Sequence, residues 1–372
     1  MSNQQQLASI RAQVGQLLIV GFEGTEVSPR LTSLLTRLQP AGVILFARNL
    51  VSAQQTHQLL KACQKLVSPP LFRCVDMEGG LVDRLKKALE PAPSAADVFA
   101  TGDRQLFRKH GRVIGEECCA LGFNTDFAPV SDLAFPASRS VMSSRAVSEN
   151  PRLTVLYVRE FLRGLAQAGV LGCGKHFPGL GEGTLDSHQY LPVIHKPWKR
   201  LWSQDLYPYR VLRRNYPFVM VSHAAYPAVT GDKIPASLSD KWISNVLRKK
   251  IRYRGLVVSD DLEMGGILTA APIHHSAVEH IRAGGDLCLI CHKEESIKQA
   301  YEALLREAEQ DRKFAERVSE SAARILSFKK KAKEVKRTML PPTPTKIERL
   351  TRQLWEFSEQ VRLETLARRE QS

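Results

Sequence analysis

Residues 169–192 read GVLGCGKHFPGLGEGTLDSHQYLP, and this stretch gives the clearest sign of how the chain is built. The apolar run over residues 169–174 predicts a short buried strand. Lys175 and His176 follow it directly, and a proline and three glycines then interrupt regular structure and let the backbone approach a ligand. The density of functional residue types here favours a binding or catalytic loop over a solvated turn.

The same loop contains Asp186 and His188, two residues apart. A carboxylate at that spacing can hydrogen-bond an imidazole and orient it, and an oriented histidine is a competent general acid or base near neutral pH. The alternative is a polar loop whose charges only face water, because a D-x-H pattern alone is weak evidence for catalysis.

On both sides of this stretch, short apolar runs alternate with helical patterns. We predict strands over residues 17–22, 41–46, 71–76, 123–130, 169–174, 218–222, 255–259 and 287–291. We predict helices over residues 31–38, 53–66, 105–121, 151–168, 206–212, 240–250 and 273–283. Continuously apolar strands separated throughout by helices indicate a parallel sheet buried on both faces, and eight such units predict one (β/α)8 TIM-type barrel. A doubly wound open sheet is the alternative, which the lack of a glycine-rich fingerprint after the first strand disfavours.

The pattern changes after Phe328. Residues 329–372 contain twelve Lys and Arg against six Glu, and residues 347–369 have apolar side chains near one helical face. We predict a single catalytic barrel over residues 1–330 and a basic helical C-terminal extension over residues 331–372, packed on the barrel or on a partner subunit.

Composition restricts the partners. The net charge is +15, but no nucleic-acid-binding module accompanies the basic runs, so we expect solvated helix faces and no nucleic-acid partner. There is no apolar run of about 18 residues and no secretory signal pattern, so we expect no membrane span and a cytoplasmic location. The seven cysteines are expected to be free thiols, and Cys288 with Cys291 is expected to reflect strand packing rather than a metal or redox site.

Polar residues recur where the predicted strands end. In a barrel the carboxyl ends of all strands converge on one face, where active sites lie. The residues concerned are Asp76, Glu78, Asp132, Lys175, His176, His223, Asp260 and Asp261.

Four segments, in order and at matching spacing, resemble the glycoside hydrolase family 3 β-N-acetylglucosaminidases, which are single-barrel cytoplasmic enzymes of cell-wall recycling. They are VDMEGGLVDRL at 75–85, FAPVSDL with SRAVSENP within 127–151, KHFPGLGEGTLDSHQYLP at 175–192 and VVSDDLEM at 257–264. The resemblance implies a retaining mechanism through a covalent glycosyl-enzyme, with no cofactor and no metal.

The resemblance also implies roles for individual residues. It places the nucleophile at Asp260, with Asp261 as the alternative, and a carboxylate at a barrel strand end can attack an anomeric carbon. It makes His188 the general acid/base, with Asp186 orienting it. The residues it implies for binding the terminal sugar are Asp76, Arg84, Arg145, Lys175 and His176.

Four of the polar residues in these motifs also fit a purely structural role. Without the motifs, Arg84 and Arg145 would be taken as surface salt-bridge residues. His223 fits the pocket floor or a satisfied core histidine equally well, and Glu78 suggests support for a tight turn at Gly79 and Gly80.

The sequence departs from the family at three positions. Leu180 stands where the family often has His, Glu182 where it often has Asp, and Met77 where Gln is common.

The sequence therefore predicts an exo-acting, retaining β-N-acetylglucosaminidase that removes terminal N-acetylglucosamine from peptidoglycan fragments, so its partner is a small carbohydrate. A family 3 β-glucosidase or a phosphorylase-type enzyme is a close alternative. A different class is a metal-dependent barrel hydrolase using His176, His188, His223 and Asp260, although no ligand spacing supports it. A third class is a barrel without catalysis that serves as a binding module.

Overall fold

Eight parallel strands form a nearly closed barrel in the computed structural model, which describes residues 3–183, 185 and 190–370. The barrel strands are β1 (Leu18–Val20), β2 (Gly42–Ile44), β3 (Phe72–Val75), β6 (Thr125–Asp126), β7 (Cys173–Phe177), β8 (Phe218–Val221), β9 (Leu256–Asp261) and β10 (Leu287–Ile290). They pair in the order β6-β3-β2-β1-β10-β9-β8-β7, and the isolated bridges Thr125 to Leu171 and Val130 to Lys175 join the two ends of this sheet. The predicted (β/α)8 barrel is confirmed.

A short hairpin follows β3, before the next barrel strand. Its strands are β4 (Met77–Gly79) and β5 (Val82–Asp83), which pair antiparallel. Gly79 and Gly80 have positive φ angles of 82° and 60°, conformations that residues with a Cβ rarely adopt. The predicted tight turn at these glycines is therefore present, and it belongs to a hairpin that the sequence did not indicate.

Helices surround the barrel. They are α1 (Asn3–Gly15), α2 (Pro29–Leu38), α3 (Ala53–Leu66), α4 (Ala95–Ala100), α5 (Arg104–Leu121), α6 (Arg139–Met142), α7 (Pro151–Ala168), α8 (Trp198–Ser203), α9 (Tyr207–Val211), α10 (Pro227–Thr230), α11 (Gly265–Leu268), α12 (Ile273–Arg282), α13 (Glu294–Gln310), α14 (Arg312–Lys331), α15 (Lys333–Lys336) and α16 (Pro344–Glu370). A segment of π-helical geometry, Lys241–Lys250, and 3₁₀ turns at Ala47–Asn49, Pro136–Ser138, Ser143–Arg145 and Ala236–Leu238 complete the regular structure.

Local sequence explains where two long barrel helices, α5 and α7, begin and how they pack. The side chain of Asp103 accepts from the Gln105 N–H at the start of α5, and that of Asn150 caps α7 in the same way. Where α5 crosses α7, a Cβ on Gly111 would lie 2.0 Å from the Phe161 carbonyl oxygen. Only glycine permits this close helix contact.

The fifth barrel strand, β7, differs from its prediction. We predicted it over residues 169–174, but Gly169 ends α7 with φ of 84° and the strand begins only at Cys173. The apolar run is therefore mostly a connection. Lys175 and His176 consequently lie inside the strand, near its carboxyl end, instead of following it.

The barrel interior is filled with apolar side chains and is closed at its base by the C-terminal part of the chain. Ile325, Ala332 and Val335 belong to the same buried cluster as the inward-facing strand residues, and Phe328 packs against it. Phe328 lies 6.0 Å from the Phe72 ring and 5.7 Å from the Phe218 ring, measured between centroids. Residues after 320 are thus part of the barrel's core.

We had expected the basic runs to lie on solvated helix faces, but two of their lysines are buried. Lys329 is 2% exposed and Lys196 is 1% exposed. Lys329 follows Ile325 by one helical turn, so it shares the helix face that covers the barrel base. Burial of these two lysines is a correction to the sequence-based interpretation.

The last helix packs on the barrel. Leu350, Leu354, Phe357 and Val361 of α16 are buried, whereas Leu366 of the predicted apolar face is 43% exposed. The Phe357 ring lies 5.8 Å from the His110 ring on α5, between centroids.

Two further predictions concern the cysteines and membrane-spanning helices. All seven cysteines, which lie within the described residues, are free, and both Cys288 and Cys291 are buried in the strand region. No helix among the described residues is long and apolar enough to cross a membrane.

Candidate active site

The carboxyl end of the barrel gathers most of the polar residues singled out from the sequence. Asp76 directly follows β3, His223 lies two residues after β8, and Asp260 lies near the end of β9. Parallel strands direct all these ends to one face, so the barrel itself brings them together.

A buried network of ion pairs forms the centre of this face. The Nζ atom of Lys175 lies 3.0 Å from Oδ1 of Asp76 and 2.6 Å from Oε1 of Glu78. Arg145 donates to both carboxylate oxygens of Glu78, each at 2.8 Å. Two cations and two carboxylates from β3, β4, β7 and the segment before α7 are thus held in fixed positions.

The charges in this network stabilise one another. Burial would raise the pKa of Glu78, but Arg145 and Lys175 outweigh it and hold that pKa far below its usual range. Burial would lower the pKa of Lys175, but Asp76 and Glu78 raise it above its usual value. The network therefore keeps its charges at neutral pH and presents preorganised donors and acceptors to a ligand.

Asp132 orients His176. Its Oδ2 atom lies 2.6 Å from Nδ1 of His176 and accepts from the His176 backbone N–H at 3.1 Å. Its Oδ1 atom accepts from the Leu180 N–H at 2.7 Å, so it also fixes the start of the loop after β7. Fixing the ring through Nδ1 leaves Nε2 for a ligand.

The two adjacent aspartates at the end of β9 differ in their surroundings. Oδ1 of Asp261 accepts from the Glu263 N–H at 3.1 Å and the Cys291 N–H at 3.2 Å. Burial raises the pKa of Asp261 to about 7, with the charges of Glu263 and Asp260 adding to the effect. The half-buried Asp260 accepts from the Asp261 N–H at 2.9 Å through Oδ1. Asp261 is thus tied to the neighbouring backbone, which fits an orienting role.

His223 is a satisfied buried histidine that supports these aspartates. Nδ1 lies 2.7 Å from Oγ of Ser237, and Nε2 lies 2.9 Å from the Asp261 carbonyl oxygen. Burial lowers its pKa, which keeps the ring neutral. With both ring nitrogens engaged, His223 positions the end of β9 and is not free to bind a metal.

Arg84 is not part of the ion-pair network. Its guanidinium carbon lies 5.8 Å from the centre of the Phe46 ring, and its buried Nε atom has no hydrogen-bond partner among the described residues. Arg84 therefore keeps an N–H donor that a ligand could use. A surface salt bridge would have occupied this donor.

The loop after β7 is fixed at its start. The Tyr226 hydroxyl donates to the Gly179 carbonyl oxygen at 2.7 Å. Lys196 Nζ lies 3.1 Å from Oε1 of Glu182 and 2.6 Å from Oδ2 of Asp205. Burial raises the pKa of Asp205 to about 6 although Lys196 opposes the shift. Asp186 and His188 lie outside the described residues.

Two of the departures from the family are core positions. Leu180 is 5% exposed and Met77 is fully buried, and both belong to the main hydrophobic cluster. The third departure, Glu182, makes the ion pair with Lys196.

Sequence reasoning missed three contributors to this site. Glu78 anchors both cations of the network, Asp132 holds His176, and Lys196 links Glu182 to Asp205. Glu78 and Asp132 were noted as strand-end acids, which was the signal available. Their partners lie 67 and 44 residues away, and only the folded barrel identifies them.

The comparison with known families decides the class. The model of the glycosyl hydrolase family 3 N-terminal domain matches residues 9–328. The chain belongs to glycosyl hydrolase family 3. The resemblance inferred from the four sequence segments is thereby confirmed, as is the expectation of a glycoside hydrolase.

Relatives in family 3 agree with this placement. A β-hexosaminidase of Alkalilimnicola ehrlichii is 37% identical over 287 residues, which cover 75% of this chain and 82% of that protein. A β-hexosaminidase of Stenotrophomonas maltophilia is 32% identical over 285 residues, 75% of this chain and 84% of that protein.

Two solved structures share the fold. The β-N-acetylglucosaminidase of Paenibacillus sp. superposes with a TM-score of 0.89 at 33% identity, over 94% of this chain and 68% of that chain. The β-N-acetylhexosaminidase of Beutenbergia cavernae superposes with a TM-score of 0.78 at 25% identity, over 86% of this chain and 98% of that chain.

Proposed function

We propose that this family 3 protein is a retaining exo-β-N-acetylglucosaminidase that releases terminal N-acetylglucosamine through a covalent glycosyl-enzyme. The observation that carries the proposal is the network of Asp76, Glu78, Arg145 and Lys175 at the same barrel end as Asp260. A sugar needs fixed charged donors and acceptors around its hydroxyls, and a glycosidase needs a carboxylate beside them.

In this proposal Asp260 is the nucleophile. Its carboxylate attacks the anomeric carbon of the bound sugar, the glycosidic C–O bond breaks, and His188 gives a proton to the departing oxygen. A water molecule then loses a proton to His188 and attacks the same carbon, which frees Asp260 and retains the β configuration. Asp186 orients His188, and the backbone contacts of Asp261 support an orienting role for it beside the nucleophile.

The terminal sugar is held by Asp76, Arg84, Arg145, Lys175 and His176. Asp76 has an 18% exposed side chain, so one oxygen can accept from sugar hydroxyls while Lys175 binds Oδ1. Lys175 and Arg145 donate, and their carboxylate partners hold them in place before the sugar arrives. Preorganised donors lose little entropy on binding, which favours a tight and specific subsite.

We propose peptidoglycan fragments as substrates and the cytoplasm as the place of action. The relatives named as β-hexosaminidases and β-N-acetylglucosaminidases support the sugar. Seven free cysteines, most of them buried, fit a reducing compartment.

The experiment that tests this function compares hydrolysis of nitrophenyl β-N-acetylglucosaminide and nitrophenyl β-glucoside, with the released sugar followed by NMR. We expect preference for the N-acetyl sugar and initial release of the β anomer. Preference for the glucoside would move the substrate to glucose and keep the mechanism. Initial release of the α anomer would rule out a retaining enzyme.

A second arm tests the proton donor with His188→Ala. The variant should lose far more activity on phenyl than on 2,4-dinitrophenyl β-N-acetylglucosaminide, because the dinitrophenolate leaves without protonation. Equal losses on both substrates would remove His188 from the role of acid.

A further inference from the structure

A small cavity of about 50 Å³ lies at the other end of the barrel, outside the strands and below the ends of α5 and α7. Its lining includes three cationic side chains: Arg73 of β3, Arg337, and Lys346 in the first turn of α16. Glu334 is the single acidic residue in the lining. Among the described residues, none of these four side chains makes an ion pair.

Arg73 is the unusual member of this group. It is only 4% exposed, and within the described part of the chain its side chain makes one hydrogen bond, from Nε to the Gly122 carbonyl oxygen at 2.6 Å. A guanidinium has five N–H donors, and buried arginines are ordinarily paired with a carboxylate or a phosphate. Burial lowers the pKa of Arg73 to about 10, with only two cysteine thiols opposing the shift. The remaining donors of a buried charge therefore lie at a cavity wall.

Backbone carbonyls offset only part of the positive charge. Gly122 ends α5, and Arg337 Nη1 donates to the Ala168 carbonyl oxygen at the end of α7, at 3.1 Å. Each helix end carries roughly half a negative charge. The two helix ends and Glu334 together contribute about two negative charges, so the three cations exceed them by about one positive charge. The N-terminal end of α16, next to Lys346, adds further positive potential.

We propose that this cavity binds a phosphate-type oxyanion. The planar fork of Arg73 can donate to two oxygens of a tetrahedral anion, while Arg337 and Lys346 neutralise its charge from the open side. The cavity has room for the anion and little else. Such an anion would connect β3 with α16 and with the segment after α15, so it would stabilise the folded chain by mass action.

The site is distinct from the catalytic end. Arg73 lies at the start of β3, whereas Asp76 follows the end of that strand. The proposal therefore does not depend on the glycosidase activity, and it differs from phosphorolysis, which would require phosphate beside Asp260.

Thermal unfolding in sodium phosphate and in sodium chloride of matched ionic strength tests the proposal. We expect a saturable rise in the melting temperature of the full chain in phosphate, roughly 1–3 °C, and a smaller, unsaturated change in chloride. Sodium sulfate should act as phosphate does, because it is also a tetrahedral dianion.

Matched variants locate the bound ion. Lys346→Gln should weaken phosphate binding roughly tenfold, since it removes one charged donor. Arg349→Gln removes an exposed charge from the same helix, outside the cavity lining, and should leave binding unchanged. Arg73→Met should abolish the phosphate response. If that variant does not fold, Lys346→Gln and Arg349→Gln still decide the question.

Two results would overturn the site. One is an equal change of the melting temperature in phosphate and in chloride, which would mean that the cavity holds water and no bound phosphate. The other is a phosphate response that Lys346→Gln leaves intact, which would place the anion elsewhere, including at the catalytic end.

Discussion

Two lysines at opposite ends of this barrel are buried to the same degree but have different partners. Lys175 and Lys329 are each 2% exposed. Lys175, at the carboxyl end, lies within 3.0 Å of one carboxylate and 2.6 Å of another. Lys329, at the base, has the Gln16 Oε1 atom at 2.9 Å and the Phe72 ring at 5.0 Å, and no carboxylate among the described residues pairs with it.

The difference appears in the pKa values. Burial alone would lower both, but Asp76 and Glu78 raise the pKa of Lys175 above its usual value. Burial lowers the pKa of Lys329 to about 7, with only the Cys74 thiol opposing it. The catalytic end thus keeps buried charge by pairing it, whereas the base tolerates unpaired cations.

The largest expected effect comes from breaking the paired end with Lys175→Met. The change leaves Asp76 and Glu78 without a shared cation and should destabilise the protein by about 3–5 kcal/mol. It should also lower kcat/KM by roughly 10²–10³-fold, because a preorganised sugar donor is lost. Urea unfolding and nitrophenyl glycoside kinetics measure the two effects. A loss of stability below about 1 kcal/mol would show that the network contributes little.

The corresponding substitution at the base, Lys329→Met, should stabilise the folded protein instead of destabilising it. It replaces a buried unpaired ammonium with an apolar side chain of similar length, so we expect a gain of about 1–2 kcal/mol at pH 6. Activity should be unchanged, because Lys329 lies at the end of the barrel away from the sugar. Urea unfolding at pH 6 is the measurement, and a loss of stability there would mean that the contacts with Gln16 and Phe72 outweigh desolvation.

The pH dependence of unfolding sharpens this point. The folded pKa of Lys329, about 7, is below that of an unfolded lysine, near 10.4. Between those values the unfolded chain binds the extra proton, so this group makes stability rise with pH, by at most about 1.4 kcal/mol per unit. Below pH 7 its contribution is flat. The difference between the natural protein and Lys329→Met isolates this slope, and parallel pH curves would contradict an unpaired cation.

The smallest effect is expected at Asp261. Its folded pKa, about 7, exceeds the unfolded value near 3.9, so ionising this group costs stability as the pH rises from about 4 to 7. Asp261→Asn imitates the protonated form and keeps an oxygen for the Glu263 and Cys291 N–H groups. Near pH 4, where the folded Asp261 carboxyl is protonated, we expect stability within about 1 kcal/mol of the natural protein, and we expect kcat/KM within roughly tenfold. If Asp261→Asn lost as much activity as Asp260→Asn, the roles of nucleophile and orienting residue would have to be exchanged between the two aspartates.

Much of the fold was predictable because it depends on local pattern. Most barrel strands are short apolar runs, and helices such as α3 and α7 begin and end where caps, prolines and glycines place them. The strand β7 was misplaced because the run at 169–174 has the composition of a strand but follows a helix end. Its strand then begins at Cys173, and charged residues occupy it, which apolar patterning does not reveal.

The site was predictable in its location and less so in its contacts. Strand ends and motifs predicted that Asp76, Lys175, His176 and Asp260 share one end of the barrel, and the structure places them there; their roles stay a prediction. The pairing of Glu78 with Arg145, and of Asp132 with His176, depends on distances across the barrel that no local pattern encodes. For the same reason, Lys329 was assigned to a solvated basic run, although the helix face it shares with Ile325 buries it.

The most direct test of the account is to identify the residue that bonds to the sugar. The protein would be incubated with 5-fluoro-N-acetyl-β-glucosaminyl fluoride, which slows release of a glycosyl-enzyme, and then digested for peptide mass spectrometry. We expect one added sugar on Asp260, absent from Asp260→Asn and present in Lys329→Met. A label on Asp261, or turnover of nitrophenyl β-N-acetylglucosaminide by Asp260→Asn at the natural rate, would contradict it.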